Sequence, residues 1–122
     1  MNNKGQTLVV FILILPLLLI LGAFIVDNAY MTYKDIELEN VTKDIIKIHL
    51  TKNELNDDKI KNIYSKNNIP TKELKVIRNE NTIKIENKYH ADSIFGKIIG
   101  LKSYEVSTSL TGELKDNKVI FR

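Results

Sequence analysis

The hydrophobic pattern of the chain changes twice along its length. From Leu8 to Val26 it is apolar without relief: nineteen residues carry no charge and no ordinary polar side chain, and sixteen of them are Leu, Ile, Val or Phe. A helix of that length covers about 28 Å, close to the roughly 30 Å of a hydrocarbon core. Large apolar residues each favour insertion by about 0.3 to 0.6 kcal/mol, and their sum of roughly 5 to 9 kcal/mol outweighs the local cost of Pro16 and Gly22. Lipid offers no partner to a backbone amide or carbonyl, so the segment is expected to be helical. From Asp27 to Lys52 the pattern becomes that of an amphipathic helix. No Gly or Pro interrupts it, and Leu38, Val41, Ile45 and Ile48 recur at spacings of three and four. Glu39 and Lys43 stand in the favourable i,i+4 order. The expectation is one uninterrupted helix, half lipid-facing and half packed by its stripe on a sheet. Tyr30 and Tyr33 follow the apolar block, where aromatic rings suit either a membrane interface or packing on the domain.

Asn53 to Asn68 predicts a second, shorter helix, capped by Asn56 or Asp57, with Ile60, Ile63 and Tyr64 on its apolar face. Asn67-Asn68 and Pro70 stop it. The period then drops to two. Leu74 and Val76 flank Lys75, and after a turn at Asn79-Glu80-Asn81, Ile83 and Ile85 alternate with Lys84 and Glu86 until about Tyr89, which predicts a hairpin with one wet face. His90 to Lys102 reads as a short helix or loop carrying Ile94, Phe95, Ile98 and Ile99, with Asp92 or Ser93 as cap and Gly100 as terminator. Tyr104, Val106, Thr108 and Leu110 alternate with Ser103, Glu105, Ser107 and Ser109 and predict the clearest strand. Lys115-Asp116-Asn117-Lys118 predicts a turn, and Val119-Ile120-Phe121 a last edge strand. The fold class expected is α+β, a long helix packed on an antiparallel sheet of three or four strands.

Composition narrows the functional classes. A mean hydropathy of −0.14 conceals the two unlike parts of the chain. About ninety residues lie outside the apolar block, so the polar part can bury only a small core. Net charge is +3, from 18 basic and 15 acidic residues. Both signs are interspersed, so the surface is an ordinary solvated one and no nucleic-acid partner is expected. With no Cys there is neither a disulfide framework nor a thiolate metal site. The abundance of Ile, Lys and Asn suits an AT-rich bacterial genome. His49 on a helix face and His90 in a connection do not make a metal site, and both are expected to be structural. Asp57-Asp58 sits near a helix start, where the dipole favours acidic residues. Asn40-Val41-Thr42 fits a glycosylation sequon but falls inside a predicted helix. There is no Gly-rich phosphate loop, nucleophile elbow or paired His–carboxylate motif. No catalytic residue, metal or cofactor is expected, and the protein is not expected to be an enzyme.

A cleaved secretory signal has an apolar stretch of about 7–15 residues and a small-residue exit. This block is longer, and Phe24-Ile25-Val26-Asp27-Asn28 has no such exit, so a retained anchor is expected. Charge does not orient it, because Lys4 precedes the block while Lys34 and Lys43 follow. The run Lys4-Gly5-Gln6-Thr7-Leu8-Val9-Val10-Phe11, followed by Leu13, Leu15 and Pro16, resembles the start of the TadE/TadG-like pilus-assembly proteins, members of the type IV pilin-like (pseudopilin) class. The resemblance covers residues 4–30. It implies that a prepilin peptidase cuts between Gly5 and Gln6. It further implies a cytoplasmic leader (1–5), a transmembrane plus amphipathic helix (6–53) and a small extracytoplasmic α+β domain (54–122). The partners it implies are the membrane, sister pilin-like subunits, pilus-assembly proteins and the peptidase. Pro16 within the apolar run matches the family's pattern, and Gly22-Ala23 is a small pair that lets another helix approach. Val10 departs from it. The family usually has Glu at this position, the fifth after the cut, where it pairs with a neighbour's terminal amine. The departure implies a minor, tip or scaffold-like subunit. The alternative is an uncut, single-pass anchored binding module with its domain outside the cell, or an accessory subunit of an enzyme.

Overall fold

The computed structural model describes residues 3–52, 54–100 and 103–122. Met1 and Asn2 of the expected leader, and the boundary residues Asn53 and Lys102, lie outside the described residues. The order is α1 (Asn3–Thr51), α2 (Asp57–Lys66), β1 (Lys75–Arg78), β2 (Thr82–Asp92), a 3-10 turn η1 (Gly96–Ile99), β3 (Ser103–Lys115) and β4 (Lys118–Phe121). The class is α+β: one long helix, one short helix and a four-stranded antiparallel sheet in the order β1-β2-β3-β4.

α1 is a single helix of 49 residues with Pro16 inside it, and the apolar and amphipathic patterns are two halves of it. Its second half lies across the sheet. Alternation decides which side of each strand faces it: Ile83, Ile85, Asn87, Tyr89 and Ala91 of β2 point in, while Lys88, His90 and Asp92 point out. In β3, Val106 and Gly112 are buried while Glu105, Ser107 and Ser109 are exposed. The core is Leu38, Ile45 and Ile46 of α1, Ile60 and Tyr64 of α2, and Ile83, Ile85 and Val106 of the sheet, all fully buried.

Two expectations are corrected. The buried stripe of α1 is centred on Leu38, Thr42, Ile45 and Ile46, with Val41 and Ile48 half-buried at its flanks. The helix meets both the sheet and α2, and α2 brings Tyr64, whose hydroxyl shares a 2.6 Å hydrogen bond with Thr42 Oγ1 in the interior. A polar residue therefore belongs in the middle of the stripe. Burial pushes the Tyr64 phenol up to about 12, offset in part by the Thr42 bond. The second correction concerns β2, which runs to Asp92, so His90 is a strand residue facing solvent. Pairs Tyr89↔Val106, Ala91↔Tyr104 and Asp92↔Ser103 extend the ladder. Ala91 is too small to mark the inward face in the sequence.

Local chemistry agrees with the expected turns. Asn56 Oδ1 caps α2 by accepting from Lys59 N at 2.8 Å. Asp57 bonds the Arg78 guanidinium at 2.6 Å, tying α2 to β1, and the same guanidinium donates to Leu55 O. Asp116 and Asn117 both have positive φ, 53° and 62°, as a two-residue hairpin turn between twisted strands requires. Glu39 and Lys43 form their pair at 3.3 Å. Asn87, buried in β2, donates to Pro70 O and fixes the connection after α2.

At Gly112 side chains of α1 lie directly against the backbone of β3. A Cβ there would collide with Ile46 Cγ2, and Leu50 Cδ1 would stand 3.3 Å away. Ile46 is β-branched and fully buried, so it has little freedom to yield. Gly112→Ala should destabilise the protein by about 1–3 kcal/mol through overpacking. Adding Ile46→Ala should recover part of the loss, so the two changes should be non-additive in urea unfolding of the detergent-solubilised chain. Full additivity would show that the contact is not tight.

His49 closes the end of α1: its Nδ1 accepts from Leu55 N at 3.0 Å. Burial, and then the charge of Arg78, hold the imidazole pKa below 6.5, with Glu54 pulling the other way. Protonation of Nδ1 also breaks the Leu55 bond. A depressed folded-state pKa means that this contribution to stability is complete above pH 6.5 and is lost as the pH falls through the lowered value. His49→Gln keeps an acceptor but does not titrate. Its thermal midpoint should fall less than that of the wild type between about pH 7 and 5. Identical pH profiles would remove His49 from the acid response.

Candidate membrane and assembly surface

The first half of α1 touches almost nothing. Every residue from Leu8 to Val26 is exposed except Ala23, which is half-buried, and the apolar side chains point out on all sides of the helix. Among the described residues α1 is the one helix long and apolar enough to cross a membrane. Polar side chains near its ends turn back on the helix's own carbonyls: Thr7 Oγ1 donates to Asn3 O at 2.9 Å, Asn28 Nδ2 to Phe24 O at 3.0 Å, and Thr32 Oγ1 to Asn28 O at 3.0 Å. Such bonds leave fewer polar groups bare where the helix changes surroundings.

The residues singled out from the sequence all lie on this half. Gly5 and Gln6 are in the first turns of α1, which runs through the bond between them. Nothing stands within 4 Å of a Cβ built on Gly5 or Gly22. Val10 is 51 % exposed and presents no polar atom. Pro16 has no amide to donate, which frees the Ile12 carbonyl inside the helix. Of these residues only Gly22 is brought to a concave surface.

That surface is an open groove of about 930 Å³ between the upper part of the apolar half and the segment joining β2 to β3. Its walls include Leu18, Gly22 and Val26 of α1 with Phe95, Ile98 and Tyr104 across from them. Asp27 holds the walls together. Its Oδ1 accepts from Ile94 N at 2.9 Å and from Phe95 N at 3.0 Å, and its Oδ2 accepts from Phe95 N at 3.2 Å. Phe95 precedes η1 and makes no side-chain cap, and the Asp27 carboxylate fixes the backbone just ahead of the turn. Gly100, at φ 96°, ends the turn as expected. One turn above, Tyr30 meets Tyr104 edge-to-face, with centroids 6.4 Å apart, and Lys34 Nζ stands 5.4 Å from the Tyr30 ring. Burial, then Tyr30, Asp27 and Asp35, push the Tyr104 phenol up. Tyr30 thus packs on the sheet domain, while Tyr33 stays 57 % exposed.

The groove's walls are mostly apolar, with Asp27, Asn28, Ser93, Ser103 and Tyr104 among the residues that line it. Among the described residues no three His, Asp or Glu side chains gather as a possible metal site. No family model, curated protein or solved structure matches the chain. Among the described residues, Asp27 makes a long-range contact that sequence reasoning missed. In the sequence it is only the first charge after the apolar run, and its partners lie 67 and 68 positions away.

Proposed function

We propose that this chain is a non-catalytic, membrane-anchored, pilin-like subunit of the TadE/TadG-like kind, serving as a minor component of a bacterial pilus or secretion apparatus. The observation that carries the reading is α1 itself, an unbroken helix bare and apolar in its first half and buried on a sheet in its second. That layout suits a subunit stored in the bilayer and drawn into an assembly by lateral helix packing. The run from Lys4 to Phe11 and Pro16 adds the family resemblance, which implies a cytoplasmic leader and a sheet domain outside. Val10 supports the minor role. A fibre that repeats a carboxylate–amine pairing needs a carboxylate in every subunit, and burying an unpaired amine costs several kcal/mol.

An uncut, single-pass anchored binding module is the second reading. It is favoured by the helical backbone through Gly5-Gln6, because peptidases act on extended chain and the turn there would have to unwind.

Removal of residues 1–5 in the native host separates the two. The protein from native membranes should have an intact mass that begins at Gln6, and Gly5→Leu should block the processing. A mass that retains Gly5 would count against the pilin-like reading. If cleavage holds, quantitative mass spectrometry of sheared surface fibres should find this chain substoichiometric beside a Glu-bearing pilin. Finding it as the dominant component would overturn the minor assignment.

A further inference from the structure

The segment between β2 and β3 exposes apolar side chains for which the sheet domain has no use. Ile98 is 78 % exposed, Ile94 40 % and Phe95 39 %. The segment is placed by Asp27, the first charged residue after the apolar run, whose carboxylate holds the Ile94 and Phe95 amides. The backbone of residues 94 and 95 is therefore fixed at the level where α1 leaves its apolar stretch. Phe95 and Ile98 line one groove with Leu18. Leu18 lies nine residues below Asp27, or about 14 Å along the helix axis.

We propose that Ile94–Gly100 is a membrane-interfacial finger, with Phe95 and Ile98 set among lipid acyl chains beside α1. The proposal rests on the reading that Leu8–Val26 crosses a bilayer. Two features select lipid as the occupant of the groove. First, the groove is continuous with a helix surface that is apolar on every side, as a lipid-facing surface is, and not with a one-sided seam shaped for a second helix. Second, four of the finger's amides have partners within the chain. Ile94 and Phe95 donate to Asp27, Ile98 donates to Phe95 O at 3.0 Å, and Gly100 donates to Lys97 O at 3.4 Å. Irregular backbone is tolerated at membrane depth only where its polar groups find such partners. Lys97, exposed beside Ile98, has the long stem and charged head that reach headgroup phosphates from an interfacial position. With α1 and the finger both seated, the sheet domain is held to the membrane at two points.

The chain has no Cys, so single cysteines can be labelled cleanly. Full-length Ile98→Cys, Leu15→Cys and Ser107→Cys variants would each carry an environment-sensitive fluorophore in phosphatidylcholine–phosphatidylglycerol vesicles. Quenching by lipid-borne nitroxides would be compared with quenching by aqueous iodide. The expected result is lipid quenching of the Ile98 and Leu15 probes several-fold above that of Ser107, which faces out from the sheet. Asp27→Ala should release the finger and lower lipid quenching at Ile98 while Leu15 keeps its own. If Leu15 is quenched by lipid and Ile98 by iodide, the finger is not in the membrane although the crossing stands. If Ile98 is shielded from both quenchers, a second protein chain fills the groove, and the proposal again fails. If Leu15 escapes lipid quenching, the crossing itself is wrong and the finger falls with it.

Discussion

A helix supplies partners for its own backbone wherever it goes, and here one helix serves two unlike surroundings. From Leu8 to Val26, α1 presents only hydrocarbon, and its backbone needs nothing from outside except at the carbonyl that Pro16 frees. Beyond Asp27 the same element becomes the floor on which a sheet is laid. The small core depends on that second half, because Leu38, Ile45 and Ile46 are the residues around which α2 and the strands close. Gly112 lets the helix sit against β3 without a gap, and the Thr42–Tyr64 bond locks α2 to its flank. A sheet this narrow has no second layer to fall back on. The helix that carries it cannot bend away from it without opening the core.

This arrangement explains which features were legible in the sequence. The apolar run, the helix to about Lys52, the hairpin turn at Asp116-Asn117 and the alternation in β3 each follow from local spacing, and the structure has them, with the helix ending at Thr51. The corrections arise where tertiary packing overrides a local signal. Thr42 looks like a break in an apolar stripe until Tyr64 arrives from α2 with a hydroxyl that needs a partner. Ala91 looks too weak to extend a strand, but it pairs with Tyr104 because β3 is long enough to hold it. His90 belongs to the strand because the ladder continues past it through Ala91↔Tyr104 and Asp92↔Ser103.

The candidate surface was half legible. The bare face of α1 could be read residue by residue, since an apolar helix of that length advertises itself. The groove could not be read, because its two walls are brought together by a contact between Asp27 and amides almost seventy positions away. No periodicity records such a bond, and a backbone amide leaves no trace in the identity of Ile94 or Phe95. The exposed side chains of the turn were visible as apolar letters, but their depth relative to α1 was not.

Asp27 also bears on how such a chain can associate. From Leu8 to Val26 there is no charged group to direct a contact. The first carboxylate after the apolar stretch is already engaged inside the molecule. Lateral association of the apolar half therefore has to rest on shape, as at the irregularity around Pro16, where a freed carbonyl seeks a donor. Contacts of that kind are weak one by one and tolerant of register. They suit a subunit that joins an assembly at a few places, under the direction of its sheet domain. They do not suit one whose helix must specify the same interface at every step of a long fibre.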